Sequence, residues 1–224
     1  MQIIRKYLKY ALLTIIVIDV VLLTLFSAFY LASFDFKFYS KQYEQNGVYE
    51  QFGKEKINRI TGELFAYLNG RGELDSRFFN RKELEHLKDV QKLFRTVKMI
   101  YFGLIIVLPI SLLFFYKQNN AIIKKTVHIL STSSILILLA VLTMFGLSSD
   151  FENYFYRFHE MFFNNNNWML DPATDNLIVM FPENFFLAIV AKISVYWLLS
   201  AVFLLVVSVT IFFFLNKPNE KPAR

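Results

Sequence analysis

The sequence predicts an all-α membrane protein with four transmembrane helices, and three observations predict it. Hydrophobic residues are 55% of the 224 and charged residues 19%, whereas a soluble domain has about 45–50% apolar and about 25% charged residues. The apolar residues gather into four runs, 11–33, 97–116, 126–147 and 186–215. Each run is long enough to cross a bilayer, since about 20 residues at about 1.5 Å rise span a hydrocarbon core about 30 Å thick.

The first run is too long for the core of a signal peptide, and three more spans follow, so it reads as a span. The fourth run is longer than a bilayer needs and is expected to tilt or emerge at one end. Five segments follow from these runs. Residues 1–33 are a cytoplasmic N-terminus and the first span. Residues 34–96 are an extracytoplasmic loop domain. Residues 97–147 hold the second and third spans with a short cytoplasmic connection. Residues 148–185 are a second outer loop, and residues 186–224 are the fourth span and a cytoplasmic tail. The two outer loops are expected to form a cap.

Orientation rests on the cations nearest the spans. Arg5, Lys6 and Lys9 precede the first span, Lys117, Lys124 and Lys125 lie in the second connection, and Lys217, Lys221 and Arg224 lie in the tail, opposed there only by Glu220. The third connection instead sets Arg157 against Asp150, Glu152, Glu160, Asp171, Asp175 and Glu183. Both termini are therefore expected in the cytoplasm. This topology accounts for the net charge of +6. There is no Gly-rich phosphate loop and no nucleic-acid-binding motif. With no cysteine, the chain has no thiol nucleophile, disulfide or thiolate metal site.

In the first loop, Phe34, Phe36, Phe38, Tyr39 and Tyr43 suit a membrane interface. Ile57, Ile60, Leu64 and Leu68 then recur at helical spacing, and Asn69-Gly70 with Gly72 ends that helix. Asn80 followed by Glu83 is a capping box, opening a helix that runs on into the second span. His86 lies in its second turn, with Lys82 at i−4 and Asp89 at i+3.

The second outer loop is the unusual stretch: FYRFHEMFFNNNNWMLDPATDNLIVMFPENFF, from Phe155 to Phe186, is rich in both polar and aromatic side chains. Asn164 to Asn167 signal a turn, and Asp171-Pro172 and Phe181-Pro182 disfavour helix at the residue before each proline.

His128, at the cytoplasmic end of the third span, reads as an interfacial polar residue. His86 and His159 fall on the same predicted side, one in each outer loop, so they are able to meet. Two chemistries suit them. One is general acid–base catalysis, because imidazole titrates near neutral pH. The other is a metal site completed by Glu83, Glu160, Asp171 or Asp175, against which stand the absence of HExxH and of paired-histidine spacing on one helix. Ser40, Ser76, Ser148 and Ser149 lack a nucleophile elbow, so the nucleophile of an enzyme here belongs to the substrate or is water. Asp171, Asp175 and Glu183 either orient imidazoles or order the loop. Trp168 and the phenylalanines read as interface anchors or as the lining of an acyl-chain pocket. Asp19, inside the first span, is either a functional acid or is paired with Ser or Thr groups of neighbouring helices.

The segment FHEMFFNNNNWMLDPATDNLIVMFPENFF resembles the bacterial integral membrane family of the lipoprotein intramolecular transacylase Lit. YLNGRGELDSRFFNRKELEHLKDVQKLF resembles that family's other characteristic segment, an acidic pair and a histidine ahead of Asp-Val. The resemblance implies an acyltransferase of the bacterial cell membrane. It acts on lipoproteins whose N-terminal cysteine carries a diacylglyceryl thioether and a free α-amine, and moves the sn-2 acyl chain to that amine. It implies His86 and His159 as the catalytic pair, with no nucleotide or acyl-carrier cofactor. Arg81, Arg157, Glu83, Glu160, Asp171 and Asp175 are then candidates to orient groups or stabilise an oxyanion, and Trp168, Phe162 and Phe163 candidates to hold lipid. Two rival readings stay open. One is a metal-dependent hydrolase or transferase of membrane lipids, and the other a non-enzymatic accessory protein that binds a partner through its outer loops.

Overall fold

The computed structural model describes residues 2–117, 122–147 and 150–216. Lys217, Lys221 and Arg224 in the tail, and Ser148 and Ser149, lie outside the described residues. Those described form nine helices and no strand: α1 (Gln2–Ser33), α2 (Phe36–Gln45), α3 (Val48–Phe52), α4 (Lys54–Leu68), α5 (Arg81–Lys117), α6 (Ile122–Leu147), α7 (Phe151–Phe162), α8 (Asn176–Met180) and α9 (Glu183–Leu215).

Four of them, α1, α5, α6 and α9, are long and apolar enough to cross a membrane. Helix is what lipid demands, because each backbone N–H and C=O must be paired within the segment. Large apolar side chains along them stand exposed, among them Ile106, Leu113, Leu142, Phe203 and Phe213. In water so much exposed apolar surface is a liability, but a hydrocarbon surrounding suits it. The chain is a multi-pass membrane protein. At 37 residues, α5 is about 55 Å long and exceeds what a bilayer needs. Its charged first part, with Lys82, Glu83, Glu85, Lys88, Asp89, Lys92 and Arg95, precedes the apolar run.

The chain divides into two compact units. The first takes residues 1–27, 101–143 and 194–224. Ile16, Val17, Phe115 and Ile129 are its buried apolar centre. Small polar groups tie its helices together: Trp197 Nε1–H donates to Thr24 Oγ1, Ser134 donates to the carbonyl of Ala201, and Ser131 pairs with Ser208. Asp19 is 2% exposed, and both its carboxylate oxygens lack a hydrogen-bond partner among the described residues.

The second unit takes residues 28–100 and 144–193, and so draws on both the first and the third connection. Ile57, Ile60 and Leu64 of α4 are buried at its core with Phe78, Phe79, Leu87, Leu177, Met180, Phe181 and Phe185. Gly70 adopts φ 81°, and the next N–H, of Arg71, returns to the carbonyl of Ala66 to close the end of α4.

Two parts of this unit differ from the sequence reading. Tyr39 and Tyr43 are core residues rather than interface anchors, at 7% and 1% exposure. Four apart on α2, they share the face that meets Phe65, Phe181 and Phe185. The stretch after the third span is also not all loop. It contains α7, which carries Phe151, Phe155 and His159 along one face and exposes Tyr154, Phe158, Met161 and Phe162 on another.

Candidate active site

The site begins at the first turn of α5. Asn80 and Glu83 form the expected capping box: the Glu83 N–H donates to Asn80 Oδ1, and the Asn80 N–H donates to Glu83 Oε2. Glu83 does more than cap. It is 0% exposed, and its other oxygen accepts the N–H of Leu177 in α8. Burial pushes its carboxyl above the ordinary glutamate value, and the N–H donors oppose that rise. Asp175 supports the same junction. It accepts from Asn80 Nδ2 at 2.6 Å and from the Asp171 N–H at 2.7 Å. Burial alone pushes its carboxyl up, but the donors together outweigh it and hold the group below the usual range. These two acids therefore lock the third connection onto the start of α5.

His86 follows Glu83 by three residues, on the turn that this lock fixes. His159 stands on the inward face of α7. The two rings meet with centroids 6.0 Å apart, and each residue is 7% exposed. Phe163, where the chain leaves α7 in extended conformation, packs against both rings, at 5.1 Å from His86 and 5.5 Å from His159. Phe155 lies 4.2 Å from the His159 ring, and Trp168 lies 4.9 Å from it at a tilt of 31°. This aromatic enclosure sets the electrostatics. Burial brings the His86 imidazole down to about 4, a charge on His159 would push it the same way, and Asp89 pulls against both. Burial also lowers His159, against its hydrogen bond to Phe155. Both imidazoles are thus neutral near pH 7.

The ring of His159 is also oriented. Its Nδ1 lies 2.7 Å from the carbonyl oxygen of Phe155. A carbonyl accepts, so Nδ1 of the neutral ring carries the proton and Nε2 presents a lone pair. Nδ1 of His86 is buried with no partner among the described residues.

A cleft of about 430 Å³ opens beside the imidazoles. Asp89, Lys92, Leu93 and Thr96 of α5 form one wall, and Phe162, Phe163, Asn164 and Asn165 form the other. Asp89 accepts from Lys92 Nζ and from Asn165 Nδ2, both at 2.8 Å. These donors hold its carboxyl low against the rise from burial.

Several residues singled out in the sequence stand at the surface. Arg81, Arg157, Glu160 and Asp171 are exposed, and Arg157 Nε is spent on Asn153. Trp168 packs on His159 and Tyr156. Among the described residues, no three His, Cys, Asp or Glu side chains gather to hold a metal ion. Sequence reasoning missed the Leu177 bond to Glu83, the Phe155 bond to His159 and the place of Asp89 in the cleft. Only the last left a trace, in its i+3 spacing from His86.

A family model described as lipoprotein intramolecular transacylase Lit matches residues 12–186. No curated protein sequence matches the chain. Among solved structures, the membrane integral lipoprotein intramolecular transacylase Lit from Bacillus cereus is 18% identical, with a TM-score of 0.83, over 95% of this chain and 100% of that one. Two further structures of that protein carry a histidine replaced by arginine or by alanine. The arginine form has a TM-score of 0.77 at 19% identity, over 94% of this chain and 95% of its own. The alanine form has a TM-score of 0.80 at 18% identity, over 97% and 99%. The family match spans most of the chain and both connections that build the histidine site: the chain belongs to the lipoprotein intramolecular transacylase Lit family.

Proposed function

We propose that this acyltransferase moves the sn-2 acyl chain of a diacylglyceryl-modified N-terminal cysteine to that cysteine's own α-amine, giving a lyso-form lipoprotein. One observation carries the reading: two neutral imidazoles meet in one buried site, and one of them has its proton position fixed. Nucleophile and acyl donor belong to one substrate molecule, so the enzyme need supply neither a serine or cysteine nor an acyl carrier. Holding the amine against the ester is then the largest contribution, since orientation within one molecule is worth about 7–11 kcal/mol of barrier.

His159 is the base. Its Nδ1–H is engaged by the Phe155 carbonyl, so Nε2 is left to take the proton from the attacking amine. His86 stays neutral and donates an N–H to the oxyanion of the tetrahedral intermediate. The ammonium first gives up one proton to solvent; then an N–C bond forms, the ester C–O bond at sn-2 breaks, and the second proton, taken from nitrogen by His159, ends on the freed glyceryl oxygen. Glu83 and Asp175 hold the two connections together rather than touching substrate. Phe162 and Leu93 suit an acyl chain, while Trp168 holds the His159 ring.

The cations Lys6, Lys9, Lys117, Lys124 and Lys125 favour a cytoplasmic position for both termini. That places the histidines on the extracytoplasmic side, where a lipoprotein N-terminus is anchored in the outer leaflet. The test is replacement of His86 and of His159 by alanine in cells, with lipoprotein N-termini read by mass spectrometry. Each variant is expected to lose the N-acyl, S-monoacylglyceryl product. Unchanged product in both would end this mechanism.

A further inference from the structure

We propose that Asp89, in the cleft beside the two imidazoles, binds the substrate's N-terminal ammonium, displacing the Lys92 ammonium that occupies the carboxylate. The inference rests on the transacylase reading and assigns that reaction a second substrate contact. Asp89, Lys92, Leu93 and Thr96 lie at i, i+3, i+4 and i+7 on α5, and so form one continuous wall. His86 stands one turn before Asp89 on the same helix, and Phe163 both lines the cleft and packs against each imidazole. A group held at Asp89 is therefore a neighbour of the histidine pair.

The cleft itself is amphiphilic. Asp89, Lys92, Asn164 and Asn165 supply polar groups, and Leu93, Phe162 and Phe163 supply an apolar floor. That mixture suits a charged terminus attached to a lipid. Asp89 is the one carboxylate among the lining residues. Glu83 and Asp175 are already committed to backbone N–H groups and to Asn80.

The partners of Asp89 point the same way. Asn165 Nδ2 fixes one oxygen at 2.8 Å. The other oxygen holds Lys92 Nζ at 2.8 Å, which is a primary ammonium like an N-terminus. The lysine side chain is 68% exposed and the aspartate 21%. An ion pair with so exposed a partner adds little stability, so an incoming ammonium exchanges with it while Lys92 swings into solvent. The neutral imidazoles do not compete for the carboxylate.

The test measures binding to the purified full chain in nanodiscs. The probe is a synthetic dialkylglyceryl-cysteine peptide whose ether links cannot react, compared with its N-acetylated form. Wild type is expected to prefer the free amine by about tenfold, the worth of one charge-assisted hydrogen bond. Asp89→Asn is expected to abolish that preference, and Lys92→Ala to increase it by removing the competitor. Equal binding of both peptides by wild type, a preference retained in Asp89→Asn, or a preference lowered by Lys92→Ala overturns the proposal. Conversion of an ester-linked peptide is scored separately. Amine preference without conversion sinks the transacylase reading and leaves the subsite. Conversion without amine preference does the reverse.

Discussion

Replacing Glu83 by alanine tests whether the histidine site depends on the lock between its two connections. The carboxylate is fully buried and accepts the N–H of Asn80 at the start of α5 and the N–H of Leu177 in α8. Alanine leaves both donors without an acceptor, and each buried donor so stranded costs about 1–3 kcal/mol. Removing a buried carboxylate also relieves a desolvation cost, the same one that raises its pKa. The net loss is therefore about 2–4 kcal/mol. At about 2–4 °C per kcal/mol for a chain of this size, Tm falls by roughly 5–15 °C. Glu83→Gln keeps the shape but turns an N–H donor toward one of the two N–H groups, so roughly half the loss is expected. The assay is thermal unfolding in detergent followed by tryptophan fluorescence, with Trp168 as the reporter packed on His159. Transacylation per folded molecule should fall as well, because His86 sits one turn beyond Glu83. A Tm for Glu83→Ala within roughly 1 °C of wild type would refute the lock.

Two further predictions concern the histidines. In the folded chain burial holds His86 down to about 4 and His159 below its ordinary value. The unfolded chain takes up these protons below about 6.5. Stability is thus intact above pH 6.5 and lost as pH falls from there toward 4, by on the order of 3 kcal/mol for His86 alone. Histidine-selective ¹⁵N NMR titration checks this directly, and protonation of His86 at pH 6.5 or above contradicts it. Trp168→Ala frees the His159 ring and should lower kcat roughly ten- to a hundredfold with KM little changed, while raising the pKa of His159. Trp168→Phe should restore most of the rate, and an unchanged kcat in Trp168→Ala removes Trp168 from its positioning role.

The spans were legible because lipid permits a single reading of a long apolar run. The core face of α4 was legible because Ile57, Ile60 and Leu64 repeat at the helical period. His86 and His159 were both singled out in the sequence, one in the first connection and one in the third. What the sequence hid was direction. Aromatic residues occupy two faces of α7, so no single apolar stripe marks the one that carries His159 inward. Tyr39 and Tyr43 follow a span and so imitate interface anchors, although their spacing of four also suits a core. The Leu177 contact with Glu83 was hidden for another reason, since it runs through a backbone N–H that no side-chain pattern announces. Asp89 stood in view beside His86, but its partner Asn165 is 76 residues away.

The most direct measurement uses purified protein and two diacylglyceryl-cysteine peptides mixed together, one carrying isotope-labelled acyl chains and a labelled peptide, the other unlabelled. With no other component added, wild type should convert both to N-acyl lyso products in which each label stays within its own molecule, and His159→Gln should convert neither at a comparable rate. Crossed labels in the product, or full conversion by His159→Gln, would contradict intramolecular transfer by the histidine pair.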